Sequence, residues 1–296
     1  MGSGFTGKHI AIVGLGLMGG SMALALRPHV ETITGVEIDA ESRAFALDNH
    51  IVDTVTDDLK TGVSEADTVI LAAPVKIIMD MVWNRIGSYL RSNTLLIDIG
   101  STKVDICHAM GRLPIGIHAI GGHPMTGKER SGIQESDPEL YKGKPFVLCS
   151  TRRRTPATRQ RALSLANALQ AVPIEMEATR HDRVVAAISH LPYLLSAALV
   201  ATAGGQAESD EAVWQLAAGG FHDMSRLAAS DIAMMRDIIS TNTQAISVLL
   251  AQFRMQLAML ETMLLSRDEE KLVEALQSLR GTRLNWAENY YEPKQG

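Results

Sequence analysis

Six residues near the amino terminus, Gly14-Leu15-Gly16-Leu17-Met18-Gly19, constrain the fold more than any other segment. They spell Gly-x-Gly-x-x-Gly, preceded by the apolar run Ile10-Ala11-Ile12-Val13 and followed by Ser21-Met22-Ala23-Leu24-Ala25-Leu26. Strand, tight turn and helix in that order predict a dinucleotide-binding turn. The first glycine permits the turn, the second lets a pyrophosphate approach the backbone, and the third lets the helix pack close to the strand. The first N–H groups of the helix then hold phosphate. On this reading Gly14, Gly16, Leu17, Met18 and Gly19 contact the cofactor.

The rest of the first half supports the same class. Runs that read as strands, Lys8–Val13, Thr32–Ile38, Thr68–Ala73, Thr94–Ile99, Ile117–Ile120, Pro145–Leu148 and Pro173–Met176, alternate with helical segments near Ala40–Asn49 and Lys76–Leu90. This alternation predicts a parallel sheet with helices on both faces. After Glu177 the pattern changes to long helical stripes. Ile246, Leu249, Leu250, Phe253, Leu257, Leu260 and Leu264 recur at helical spacing, and Leu272, Leu276, Leu279 and Trp286 continue in a further helix. The expected organisation is an α/β chain: a Rossmann-type parallel-sheet domain over residues 1–178, then an all-helical domain over 179–296 for substrate binding and dimerisation.

Composition narrows the partners. With 296 residues, 46% of them hydrophobic, the chain can fill a sizeable core. Its net charge of −5 gives no basic surface for nucleic acid. The cluster Arg152-Arg153-Arg154 reads as a solvated turn. Cys107 and Cys149 make neither a disulfide framework nor a metal site, and Cys149, in an apolar run, reads as a buried free thiol that fits a reducing cytoplasm. The longest apolar stretch, Leu191–Ala203, is shorter than the roughly 20 residues a membrane helix needs. No signal peptide is visible. Met1-Gly2-x-x-x-Thr6 matches a myristoylation pattern but reads as a short leader.

Glu37 follows Gly14 by 23 residues, near the spacing of the acid that binds a ribose 2′-hydroxyl. A carboxylate there favours NAD over NADP, while Arg43 softens the bias against a 2′-phosphate and leaves NADP open. Asp39 competes for the same contact or caps the next helix. Three polar constellations follow. Asp98-Ile99-Gly100-Ser101-Thr102-Lys103 ends a strand, where ligands of open α/β sheets bind, so Ser101 and Lys103 are candidates to face the cleft; the Ser-Thr pair alternatively caps a helix. Gly121-Gly122-His123-Pro124-Met125-Thr126-Gly127 holds an imidazole on a fixed backbone, neutral near pH 7 and able to accept a proton. Thr179-Arg180-His181-Asp182-Arg183 starts a helix that carries Ser189-His190-Leu191-Pro192 two turns on. His-x8-His is too widely spaced for adjacent-turn zinc ligands, so no metal is expected.

Taken in order, these motifs together with Gly220-Phe221-His222-Asp223-Met224-Ser225-Arg226 resemble the prephenate/arogenate dehydrogenases, from about residue 8 to 290. The resemblance implies a cyclohexadienyl dehydrogenase that decarboxylates its substrate oxidatively in tyrosine biosynthesis. Prephenate is favoured slightly over arogenate, and a β-hydroxyacid dehydrogenase is the remote alternative. It implies that His123 bonds the ring C4 hydroxyl and takes its proton. Ser101 would orient His123 and contact the hydroxyl and nicotinamide, His190 would contact the substrate side chain, and Arg226 would bind a substrate carboxylate. Lys128 and Met235 stand where several relatives carry other residues, so contacts there are not carried over. Asp231 reads as a helix N-cap or as an acid near the pocket. Members with a C-terminal ACT domain are longer than this chain.

Overall fold

The computed structural model describes residues 5, 7–128 and 130–291. The amino-terminal myristoylation pattern lies outside the described residues. The chain divides into two compact units, one reaching Ala245 and one from Ile246 onward.

The first unit is built on an eight-stranded sheet in the order β3-β2-β1-β4-β5-β6-β7-β8. The strands are β1 Gly7–Val13, β2 Val30–Val36, β3 Thr54–Thr56, β4 Thr68–Leu71, β5 Leu95–Asp98, β6 His118–Pro124, β7 Pro145–Ser150 and β8 Val172–Met176. Helices α1 Leu17–Leu26, α2 Ala40–Asp48, α3 Leu59–Val63, α4 Val75–Asn84, α5 Val104–Met110 and α6 Pro156–Ala168 connect them. All neighbours pair parallel except β6 and β7, which run antiparallel in the register Gly122 with Leu148 and His123 with Val147. The sheet is thus parallel as expected, apart from that one pair. Among the described residues, the connection between them, 125–144, contains a short 3-10 turn, Ile133–Glu135, and no crossover helix, and a parallel return needs one.

Two apolar clusters cover the two faces of the sheet. One gathers Ile10, Ile12, Met22, Leu26, Ile33, Ile70 and Ile97; the other gathers Ala11, Val69, Leu71, Ile78, Leu96 and Ile106. Alternate residues of β1 and β4 thus enter opposite clusters, as the strand period of two requires. The chain winds one way from β1 to β2 and β3, and the other way from β4 onward. The crevice at that reversal, at the carboxyl ends of β1 and β4, is where such sheets bind ligands.

Sequence reading missed β3 and α3, which are short, with α3 capped by the Asp58 carboxylate at 2.7 Å from Thr61 N. It also ran β2 two residues too far. Asp39 leaves the strand to cap α2, accepting from Ser42 N at 2.7 Å, so the extended run stops at Val36. The predicted helix to Leu90 stops earlier, at Asn84, and a separate 3-10 turn, Ile86–Ser88, follows.

Beyond β8 the chain is helical. Helix α7, Ala178–Val185, runs through a π-helical turn, Ala186–His190, into α8, Leu191–Ala207. Pro192 cannot donate a backbone hydrogen bond, and Leu191 N instead reaches back five residues to Ala186 O. Short helices α9 Ala212–Gln215 and α10 Gly219–Ser225 precede α11 Ile232–Thr241, α12 Thr243–Ser266 and α13 Glu269–Trp286. The helical runs Ala178–Ala207 and Thr243–Ser266 are long and apolar enough, by length and composition, to cross a membrane. This corrects the expectation drawn from Leu191–Ala203 alone, because Ala186, Ile188 and the rest of α8 lengthen that apolar stretch.

Candidate active site

The three glycines of the turn occupy three different environments. Gly14 has φ +95°, and a Cβ there would lie 2.6 Å from Ala72 O. A Cβ on Gly19 would lie 1.9 Å from Gly14 O. Gly16 has nothing within 4 Å of its Cβ position. The first and third glycines are therefore demanded by the fold, while the second leaves backbone open for a ligand. Gly16 is the N-cap of α1 without a side-chain cap, so Leu17 and Met18 begin the helix with the free N–H groups that favour anions.

Glu37 sits just past β2 with its carboxylate turned onto this turn. It accepts from Leu15 N at 2.8 Å and from Asp39 N at 3.0 Å. Arg43 braces the same corner by donating to Glu37 O and Ile38 O, each at 2.8 Å. The loop after β6 packs on the start of α1: Tyr141 OH donates to Met18 O at 2.6 Å, and Asp137 N donates to Ser21 Oγ at 2.9 Å. Lys128 belongs to this loop and pairs with Asp137 at 3.0 Å.

His123 lies near the end of β6. Its Nδ1 is 2.8 Å from His181 Nε2, and His181 Nδ1 is 2.7 Å from Asp182 Oδ1. Asp182 also accepts from Lys103 N at 2.7 Å and from Val104 N at 2.9 Å, at the start of α5. Burial holds the His123 imidazole well below its usual range, and the nearby Lys103 ammonium and the neighbouring rings of His181 and His190 add to the cost of a charge there. The ring is therefore neutral near pH 7, the form that accepts a proton.

Lys103 does not face the cleft as expected. It is completely buried and ion-paired with Asp98, which is equally buried. Asp98 also accepts from Gly100 N at 2.8 Å and Gly122 N at 3.3 Å. Burial pushes the Asp98 carboxyl up, and Lys103 opposes that shift. The pair fixes the ends of β5 and β6 against each other beside His123.

Ser101 is half-buried after β5, but among the described residues no hydrogen bond joins it to His123. The hydrogen-bond partner of the His123 ring in this structure is His181. The sequence places His181 and Asp182 in a polar constellation at a helix start but gives them no contact with His123; the signal available is a His-Asp pair beginning the helix that also carries His190. His190 is only 1% exposed. Its Nδ1 lies 3.2 Å from Asn242 Nδ2, whose other hydrogen goes to Asp182 O at 2.7 Å. His190 thus belongs to a buried hydrogen-bond network, and burial lowers its pKa to about 4. Arg226 is exposed at the start of the 3-10 turn Arg226–Ala229, after α10. Met235 is buried in α11, and Asp231 caps that helix by accepting from Met234 N at 2.6 Å.

A doubly wound sheet with an open glycine turn at its reversal, and a neutral imidazole at the end of a strand, defines a nucleotide-dependent dehydrogenase. Comparison with known proteins agrees. Residues 22–175 match the prephenate dehydrogenase nucleotide-binding domain, and residues 177–278 match the prephenate dehydrogenase dimerization domain. Prephenate dehydrogenase of Bacillus subtilis (strain 168) is 31% identical over 277 residues, covering 93% of this chain and 75% of the relative. The crystal structure of prephenate dehydrogenase from Aquifex aeolicus in complex with hydroxyphenyl propionate and NAD+ superposes with a TM-score of 0.86 at 30% identity, covering 94% of this chain and 98% of that one. Arogenate dehydrogenase of Synechocystis gives a TM-score of 0.82 at 27% identity, covering 94% and 99%. The chain belongs to the prephenate dehydrogenase family.

Proposed function

We propose that this protein is a prephenate dehydrogenase that uses NAD to convert prephenate to 4-hydroxyphenylpyruvate. Hydride leaves ring C4 for the nicotinamide while His123 takes the C4 hydroxyl proton. The resulting dienone loses its C1 carboxylate as CO2, and aromatisation drives the step. The protein's task is to position two reactants and remove one proton. Gly14, Gly16, Leu17, Met18 and Gly19 cradle the pyrophosphate, and Glu37 accepts from the ribose diol, exchanging its bond to Leu15 N. Ser101 lies toward the nicotinamide, Arg226 binds a substrate carboxylate, and His190 backs the site. The observation that carries this reading is the neutral imidazole of His123 at the end of β6, in a chain that matches both domains of the family. In its support, the Aquifex relative was crystallised with NAD+ and hydroxyphenyl propionate.

The test is nicotinamide reduction with prephenate and with arogenate, each with NAD and with NADP. Turnover fastest with prephenate and NAD supports the assignment, and no turnover with either substrate rejects it. Arogenate is the second reading, favoured by the likeness to the Synechocystis arogenate dehydrogenase.

The domain division at 178/179 and a homodimer through the helical region belong to the same proposal. Leu257, Leu264, Leu265, Leu276 and Leu279 on α12 and α13 are each at least half exposed, more apolar surface than a lone soluble chain carries comfortably. Covering by a second copy explains the apolar composition of these helices without a membrane. Cytoplasmic residence fits the two buried free thiols.

A further inference from the structure

The chain His123–His181–Asp182 fixes the protons of its own members, starting from the buried end. Asp182 receives two backbone N–H groups at the start of α5 in addition to His181 Nδ1. With a backbone N–H donated to each of its two oxygens, the carboxylate is used as an acceptor on both sides. The hydrogen between it and His181 therefore sits on His181 Nδ1. A neutral imidazole carries one N–H, so His181 Nε2 bears a lone pair. That lone pair faces His123 Nδ1 at 2.8 Å, so the hydrogen in this contact belongs to His123 Nδ1. By elimination, the lone pair of His123 is on Nε2.

We propose that His181 and Asp182 are positioning residues that hold His123 in its Nδ1–H tautomer, making Nε2 the atom that takes the substrate hydroxyl proton. The proposal rests on the reading of His123 as the base. The proton arriving at Nε2 creates an imidazolium whose Nδ1–H already points through His181 toward the Asp182 carboxylate. The pair thus stabilises the charge formed in the step as well as the tautomer that precedes it. The adjacent imidazole shows the opposite arrangement. Asn242 donates to His190 Nδ1, so neutral His190 carries its hydrogen on Nε2. Asn242 also holds the Asp182 main chain, so one small network sets both rings in different tautomers. Lys103 and His190 are the other charged or titratable groups close to His123, and neither shares a hydrogen bond with its ring among the described residues.

Two variants and one spectrum test this. His181→Met keeps much of the volume but has no strong acceptor for His123 Nδ1–H; His181→Gln keeps a carbonyl oxygen in reach. In His181→Met, kcat is expected to fall roughly 10²-fold or more, the scale of a disabled base, with KM for prephenate nearly unchanged. His181→Gln is expected to recover most of that loss. In ¹⁵N-histidine spectra of the wild-type protein, the His123 signals, identified by their loss in His123→Asn, should show a lone pair on Nε2 and hydrogen on Nδ1. His181→Met should weaken that preference. Hydrogen on Nε2 in the wild type, or equal kcat for the Met and Gln variants, overturns the proposal. Failure of the base reading itself appears separately, as a His123→Asn enzyme with undiminished kcat.

Discussion

The glycine turn makes a prediction that separates folding from binding within six residues. Gly19→Ala places a methyl group 1.9 Å from Gly14 O, and both partners are backbone. No rotamer relieves such an overlap, so α1 must move away from β1. The cost is that of overpacking a tight core, about 1–3 kcal/mol or more. At roughly 2–4 °C per kcal/mol for a cooperative unit of this size, Tm should fall by several degrees. Gly16→Ala meets nothing within 4 Å, and its backbone, at φ −79° and ψ −163°, suits alanine. Its cost should be that of a weaker N-cap, about 1 kcal/mol at most. It should nevertheless raise KM for NAD by roughly tenfold or more, because about 1.4 kcal/mol of lost pyrophosphate contact corresponds to a factor of ten. Thermal unfolding without cofactor and NAD titration read the two effects independently. The reasoning fails if Gly16→Ala loses as much stability as Gly19→Ala, or if it binds NAD as the wild type does.

Further outcomes follow from the same geometry. With His123 as the proposed base and its pKa depressed, kcat should be level through neutral pH and fall only when acid protonates the ring below its usual value of about 6.5; a fall beginning above neutrality contradicts this. With Arg226 in its proposed role at a substrate carboxylate, Arg226→Ala should mainly raise KM for prephenate; a pure kcat defect in steady-state assays contradicts it. Lys103→Met leaves the Asp98 carboxylate buried without its cation, and chemical denaturation should show a loss of about 3–5 kcal/mol. A loss below about 1 kcal/mol would mean that the pair does not brace β5 against β6.

Much of this architecture was legible in the residues. The order of apolar runs and turn glycines gave the Rossmann frame, because strand burial and the phosphate turn each impose a local pattern. The change of period after Glu177 gave the helical half. What escaped depends on contacts distant in sequence. The antiparallel β7 looks like any other buried strand, since its direction is decided by the lack of a crossover helix before it. Lys103 is a candidate for the cleft by sequence because nothing local announces that Asp98, five residues earlier, pairs with it in the interior. The π-helical turn at Ala186–His190 follows from Pro192 and places His190 in the buried network. The partnership of His123 with His181 spans 58 residues, and only the docking of α7 against the sheet brings the two rings together.

The central claim is that His123 removes the hydroxyl proton as hydride passes to NAD. The most direct measurement is single-turnover reduction of NAD by prephenate in the wild type and in His123→Asn, with substrate binding followed in parallel. The account predicts a rate lower by roughly two to four orders of magnitude in the variant, with prephenate and NAD still bound at near wild-type affinity and 4-hydroxyphenylpyruvate formed by the wild type. An unchanged single-turnover rate in His123→Asn contradicts it.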